Sequence, residues 1–127
     1  MRRVKLVLML ATVGVTMLLA TAGPASAAVF QCFGGRCEVP ERFETDNNTF
    51  FESPFNDFII GGRAADDIFA QRFGGDRDRV ESKQGRDFIN VRDGDRRDRV
   101  DCGKGRDVVR ANRHDNIANN CERVRFS

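Results

Sequence analysis

The sequence is short of the groups on which most site chemistry rests. It has one histidine, His114, and neither tryptophan nor tyrosine. None of its four cysteines stands at C-x-x-C spacing: four residues separate Cys32 from Cys37, and eighteen separate Cys102 from Cys121. Structural zinc takes Cys or Cys/His ligands in closely spaced pairs, so zinc is excluded. His114 has Asp115 beside it but no serine or cysteine nucleophile context, and reads as a surface residue. Carboxylates abound, yet each belongs to the repeat described below and none stands out as a catalytic pair. The chain is expected not to be an enzyme.

Charge of one sign and long apolar runs are also missing. The first 27 residues open on Arg2, Arg3 and Lys5, continue through a Gly/Thr-broken apolar middle, and end on Ala25-Ser26-Ala27. That order reads as a secretory signal cleaved before Ala28; the apolar run is too interrupted for a membrane anchor. Arg2-Arg3 alone does not choose between the general and twin-arginine routes. The 100 residues that remain suffice for one small domain and carry 18 basic against 19 acidic groups. Without a net basic surface, nucleic acid is excluded as a partner. All four cysteines lie in this exported part, where an even count points to disulfides, with three connectivities open.

What the sequence does have is a repeat. Asp followed two residues later by an apolar residue recurs at Asp57/Ile59, Asp66/Ile68, Asp78/Val80, Asp87/Ile89, Asp98/Val100, Asp107/Val109 and Asp115/Ile117. Asn48/Phe50 precedes the series and Glu122/Val124 follows it. The apolar positions step by 9, 9, 12, 9, 11, 9, 8 and 7 residues. Glycines between the units oppose a helix, and the β-branched apolar residues favour short strands. Side chains alternate along a strand, so Gly61, Ala70, Ser82, Val91, Cys102 and Ala111, two places further on, should also face inward. The expected fold is all-β: a parallel β-roll or β-solenoid of about nine short strands over residues 46–127. Residues 28–45 lack a repeat and read as an N-terminal cap covering the end strands, packed by Phe30, Phe33 or Phe43. Two disulfides are expected, Cys32–Cys37 closing a loop in the cap and Cys102–Cys121 fastening the last turn.

GGRAADDIF (61–69), SKQGRDFIN (82–90) and CGKGRDVVR (102–110) resemble the RTX or hemolysin-type calcium-binding repeat, G-G-x-G-x-D-x-U-x. The likeness spans roughly residues 46–124, and no unit keeps all three glycines. It implies calcium ions held between stacked turns by the repeat Asp and by turn carbonyls that glycine allows to converge. Alternate units fall on opposite edges. The first edge carries Asp66, Asp87 and Asp107 with Gly61, Gly62, Gly85, Gly103 and Gly105; the second carries Asp57, Asp78, Asp98 and Asp115. The implied calcium residues are Asp66, Asp87, Asp107, Asp78, Asp98, Gly61, Gly85 and Gly105, with the first edge favoured and Asp87 shared between neighbouring ions. The second edge holds both insertions, FGGDRDRV (73–80) and VRDGDRRDRV (91–100), where arginines interleave with acids. Arginine bridges carboxylates well, so the alternative is a metal-independent solenoid held by Asp–Arg ladders and serving as an extracellular interaction or cell-surface module. Asp93-Gly94-Asp95 opens like an EF-hand loop, but Arg97 breaks the ligand pattern. Asn47-Asn48-Thr49 matches a glycosylation sequon. The functional expectation is a secreted, extracellular, non-enzymatic calcium-binding β-roll protein.

Overall fold

The Asp-x-apolar units fold as the spacing predicts. In the computed structural model, which describes residues 15–18, 28–94 and 97–127, the elements are strands and one 3₁₀ turn, Glu41–Phe43. The strands are β1 (Val15–Leu18), β2 (Val29–Cys32), β3 (Gly35–Glu38), β4 (Thr49–Phe51), β5 (Asp57–Ile60), β6 (Asp67–Phe69) and β7 (Arg79–Glu81). They continue with β8 (Phe88–Asn90), β9 (Arg99–Asp101), β10 (Val108–Ala111), β11 (Asn116–Ile117) and β12 (Arg123–Phe126). From β2 onward the chain alternates between two parallel sheets. One has the order β1-β2-β4-β6-β8-β10-β12, the other β11-β9-β7-β5-β3. Among the described residues only β1 runs antiparallel, against β2. The protein is a parallel β-solenoid.

Register is set by the apolar positions. In one sheet Phe30, Phe50, Ile68, Ile89, Val109 and Val124 align. In the other the column is Cys37, Ile59, Val80, Val100 and Ile117. All but Val124 and Ile117, which pack at the C-terminal end, are buried between the sheets. The six positions two residues further on are buried as expected. A one-residue slip would turn every one of these side chains outward, so one buried face suffices to fix the pairing.

The segment 28–45 is more regular than its sequence suggests. It forms a coil of the solenoid itself, β2 pairing with β4 and β3 with β5, with Phe30 and Cys37 continuing the inward columns. Phe30 stacks on Phe50 at 5.0 Å and meets the edge of Phe43 at 6.4 Å, while Phe33 stays exposed. Both expected disulfides are present, with Cα separations of 5.7 Å for Cys32–Cys37 and 5.2 Å for Cys102–Cys121. Such bonds belong to an oxidising, extracellular-type environment. Among the described residues no helix is long and apolar enough to cross a membrane. The signal reading of residues 1–27 lies outside the described residues, apart from β1.

Candidate metal centre

Each turn carries one repeat carboxylate, and its first partner is backbone. On the first edge Asn48 N–H donates to Asp66 Oδ1 (3.0 Å), Asp66 N–H to Asp87 Oδ1 (2.8 Å), Asp87 N–H to Asp107 Oδ1 (2.8 Å) and Asp107 N–H to Glu122 Oε2 (2.8 Å). On the second, Asp57 N–H donates to Asp78 Oδ1 (2.8 Å), Asp78 N–H to Asp98 Oδ1 (2.8 Å) and Asp98 N–H to Asp115 Oδ1 (3.2 Å). Every carboxylate thus reaches back to the coil before it. The first coil needs no Asp for this purpose, and Gly35 stands level with Asp57 there. Hydrogen bonds to an ionised acceptor are roughly twice as strong as neutral ones, so these columns are a stacking device.

The glycines serve the same stacking. Gly85 and Gly105 hold positive φ, at 113° and 130°. A Cβ on Gly105 would land on the Gly85 carbonyl oxygen, and one on Gly85 on the Ala64 carbonyl oxygen. A Cβ on Gly61 would stand 2.9 Å from both Asp66 Oδ2 and the Ser82 carbonyl oxygen. These three glycines let successive turns of the first edge lie directly on one another.

The second carboxylate oxygens divide within each edge rather than between the two. Asp57 Oδ2 accepts from Ser53 N–H (2.6 Å), and Asp66 Oδ2 from Gly62 N–H (2.7 Å). Asp78 Oδ2, Asp87 Oδ2 and Asp107 Oδ2 are buried without a hydrogen-bond partner. Burial pushes all five of these acids above the usual carboxylate range, Asp87 to about 7 and Asp78 to about 9. For Asp78, burial is joined by the Glu52 side chain and by the negative charges of Asp76 and Asp98.

Glu52 is the residue that sequence reasoning missed. It lies two places after Phe50, at the inward position that Cys32, Ala70, Val91 and Ala111 fill in neighbouring coils, and is 1% exposed. One of its oxygens, Oε1, accepts from the backbone N–H groups of Arg72 and Phe73 (2.8 Å for Phe73), which holds the inserted loop before β7. The other, Oε2, is buried without a hydrogen-bond partner. Burial raises the Glu52 pKa. Glu52, Asp76 and Asp78 each offer a carboxylate oxygen, and these atoms lie within 4.8 Å of one another. Two oxygens that share a calcium ion at 2.3–2.6 Å can be no more than about 5 Å apart, so the spacing fits. The all-oxygen donor set suits a hard cation. The missed signal was plain enough: a Glu where the repeat calls for an apolar or small residue.

Among the expected calcium residues, the structure places Asp78 in this centre and Asp98 one coil beyond it, bonded to Asp78 N–H. Asp66, Asp87 and Asp107 form their column as expected, linked through backbone N–H groups, and among the described residues they do not belong to the three-acid cluster. Among the described residues the acidic cluster therefore falls on the second edge, not the favoured first. Among the described residues, ion pairs join Arg36 to Glu38, Arg63 to Glu44, Arg79 to Glu81 and Lys83 to Glu44. The ladder Asp residues are buried while Arg77, Arg79 and Arg99 face solvent, and backbone N–H groups reach Asp78 and Asp98. His114 is exposed as expected, as is Asn47. Asp95 and Arg96 lie outside the described residues, and with them half of the EF-hand-like opening.

The fold and the centre define a disulfide-closed parallel β-solenoid with a buried three-carboxylate cluster at one turn edge. No family model, no curated protein and no solved structure matches the chain.

Proposed function

We propose that the protein is a secreted, non-enzymatic calcium-binding β-solenoid whose ion sits at Glu52, Asp76 and Asp78. The observation that carries this reading is Glu52: a buried carboxylate in an apolar column, set against the carboxylates of Asp78 and Asp76. Buried carboxylates gathered at one point are costly. Either a shared proton or a cation relieves that cost, and at neutral pH a divalent ion offsets more of the charge. Magnesium dehydrates reluctantly and demands near-ideal octahedral geometry, so a buried carboxylate cluster favours calcium. Glu52 would supply Oε2, Asp78 its Oδ2 and Asp76 one carboxylate oxygen, while Glu52 Oε1 keeps the inserted loop in place.

A second reading has its own support. Because the ladder carboxylates already hold backbone N–H groups, the coils can stack without an ion, as an extracellular interaction or cell-surface module would require. Calorimetric titration of the exported protein separates the two. The calcium reading expects about one ion bound per chain, magnesium binding far more weakly, and no binding to Glu52→Gln with its circular dichroism unchanged. Calcium binding of equal strength in wild type and Glu52→Gln would remove the ion from this centre; no binding at all would leave the interaction module.

A further inference from the structure

The two halves of the solenoid differ in charge. Residues 28–81 hold 6 basic and 11 acidic side chains, whereas residues 82–127 hold 12 basic and 8 acidic. Near the start, the turn between β3 and β4 holds exposed Glu41 and half-buried Glu44 and Asp46 against one exposed basic residue, Arg42. At the finish, Arg123 and Arg125 are exposed on β12, and the three carboxylates of the final coils, Asp107, Glu122 and Asp115, accept backbone N–H bonds. Each end also presents open strand edges. The sheets finish on β12 and β11 at one end and begin on β1 and β3 at the other; the secretion reading, on which this step rests, leaves β2 in the place of β1. Phe33, 52% exposed, lies in the first coil and Phe126, 53% exposed, on the last strand. One disulfide ties down each terminal coil. A rigid end loses little conformational freedom when it docks.

From these observations we infer that the basic C-terminal end of one copy docks on the acidic N-terminal end of a second copy, strand edge to strand edge. Like ends repel, because Arg123 and Arg125 would face their own equivalents; unlike ends attract. Charge of this kind sets partner choice and orientation more than raw affinity. The contact is head to tail, so it does not close on itself and can propagate into a row of coils. A flanking charge that keeps identical strand edges apart here selects the opposite end.

The test is sedimentation velocity on the protein recovered from the medium of expressing cells, from about 10 to 500 μM, at about 20 and 500 mM salt, in calcium and in chelator. The expected result is association that grows with concentration without stopping at a dimer and weakens about tenfold or more in high salt. Arg123→Glu/Arg125→Glu should abolish it, and mixing that variant with Glu41→Arg/Asp46→Arg should restore a one-to-one complex. Both pairs lie at the surface, and circular dichroism checks that each variant is folded. A monomer under every condition overturns the proposal. So does a closed dimer, an association indifferent to salt, or one that survives the charge reversal. Since the comparison is made with and without calcium, the outcome is independent of whether an ion binds at Glu52.

Discussion

The two turn edges share one device and diverge in a second. On both, a carboxylate from each coil holds the backbone N–H of the coil before it. The first edge adds glycines that bring turn against turn. The second adds an inserted loop and an inward Glu52, which gather three acids at one point. The same Asp-x-apolar motif therefore serves stacking on both edges, and among the described residues it joins a three-acid cluster at Glu52, Asp76 and Asp78.

The largest effect is expected where the first edge is tightest. Gly105→Ala puts a Cβ on the Gly85 carbonyl at a φ that L side chains rarely adopt, a combination of overpacking and backbone strain worth about 3–5 kcal/mol. Denaturant unfolding should show the loss, whereas Gly94→Ala on the second edge, with open space around its Cβ position, should lose much less. Gly94 still has positive φ, so a modest strain cost remains.

Next come the disulfides, one at the last turn of the first edge and one at the first turn of the second. Cys102–Cys121 closes a separation of 19 residues and Cys32–Cys37 one of 5. Chain entropy assigns them about 3 and about 2 kcal/mol. Paired Cys→Ala variants compared by thermal melting should keep that order.

Asp87→Ala removes the acceptor of the Asp66 N–H bond and should cost about 1–3 kcal/mol, the usual penalty for a buried donor left alone. It should leave the calcium response intact, because Asp87 belongs to the edge without a third acid.

How far this division could be read beforehand depends on what each feature looks like in one dimension. The alternation of the edges was legible because Asp57, Asp78, Asp98 and Asp115 are spaced by single coils, as are Asp66, Asp87 and Asp107. The columns Phe50–Ile68–Ile89 and Ile59–Val80–Val100 followed from the same spacing. The first coil was hidden because its rungs need no carboxylate, so the repeat has no Asp to announce it at Phe30 or Cys37. The centre was hidden for a different reason. Glu52 and Asp78 are 26 places apart and meet only through an insertion whose path no periodicity specifies. What could be read was the anomaly alone, a Glu at an inward position.

A further effect is expected from pH in the absence of calcium. The folded-state pKa of Asp87, about 7, and of Asp78, about 9, both lie above the value of 3.8 for an unperturbed Asp. The native state then binds more protons than the unfolded chain between these limits, so stability falls as pH rises. In chelator the contribution of these two acids is full below about pH 4, is lost for Asp87 by about pH 7 and for Asp78 by about pH 9. Chemical denaturation at pH 5 and pH 8 should show the acid-side advantage, and calcium should shrink it.

The most direct measurement is thermal melting of wild type, Glu52→Gln and Asp87→Ala, each in saturating calcium and in chelator. Calcium should raise the melting temperature of wild type and of Asp87→Ala, by the equivalent of about 2.7 kcal/mol at a hundredfold excess over Kd. Glu52→Gln should melt at the same temperature with and without calcium. A calcium shift retained in Glu52→Gln but lost in Asp87→Ala would return the ion to the first edge and contradict the account.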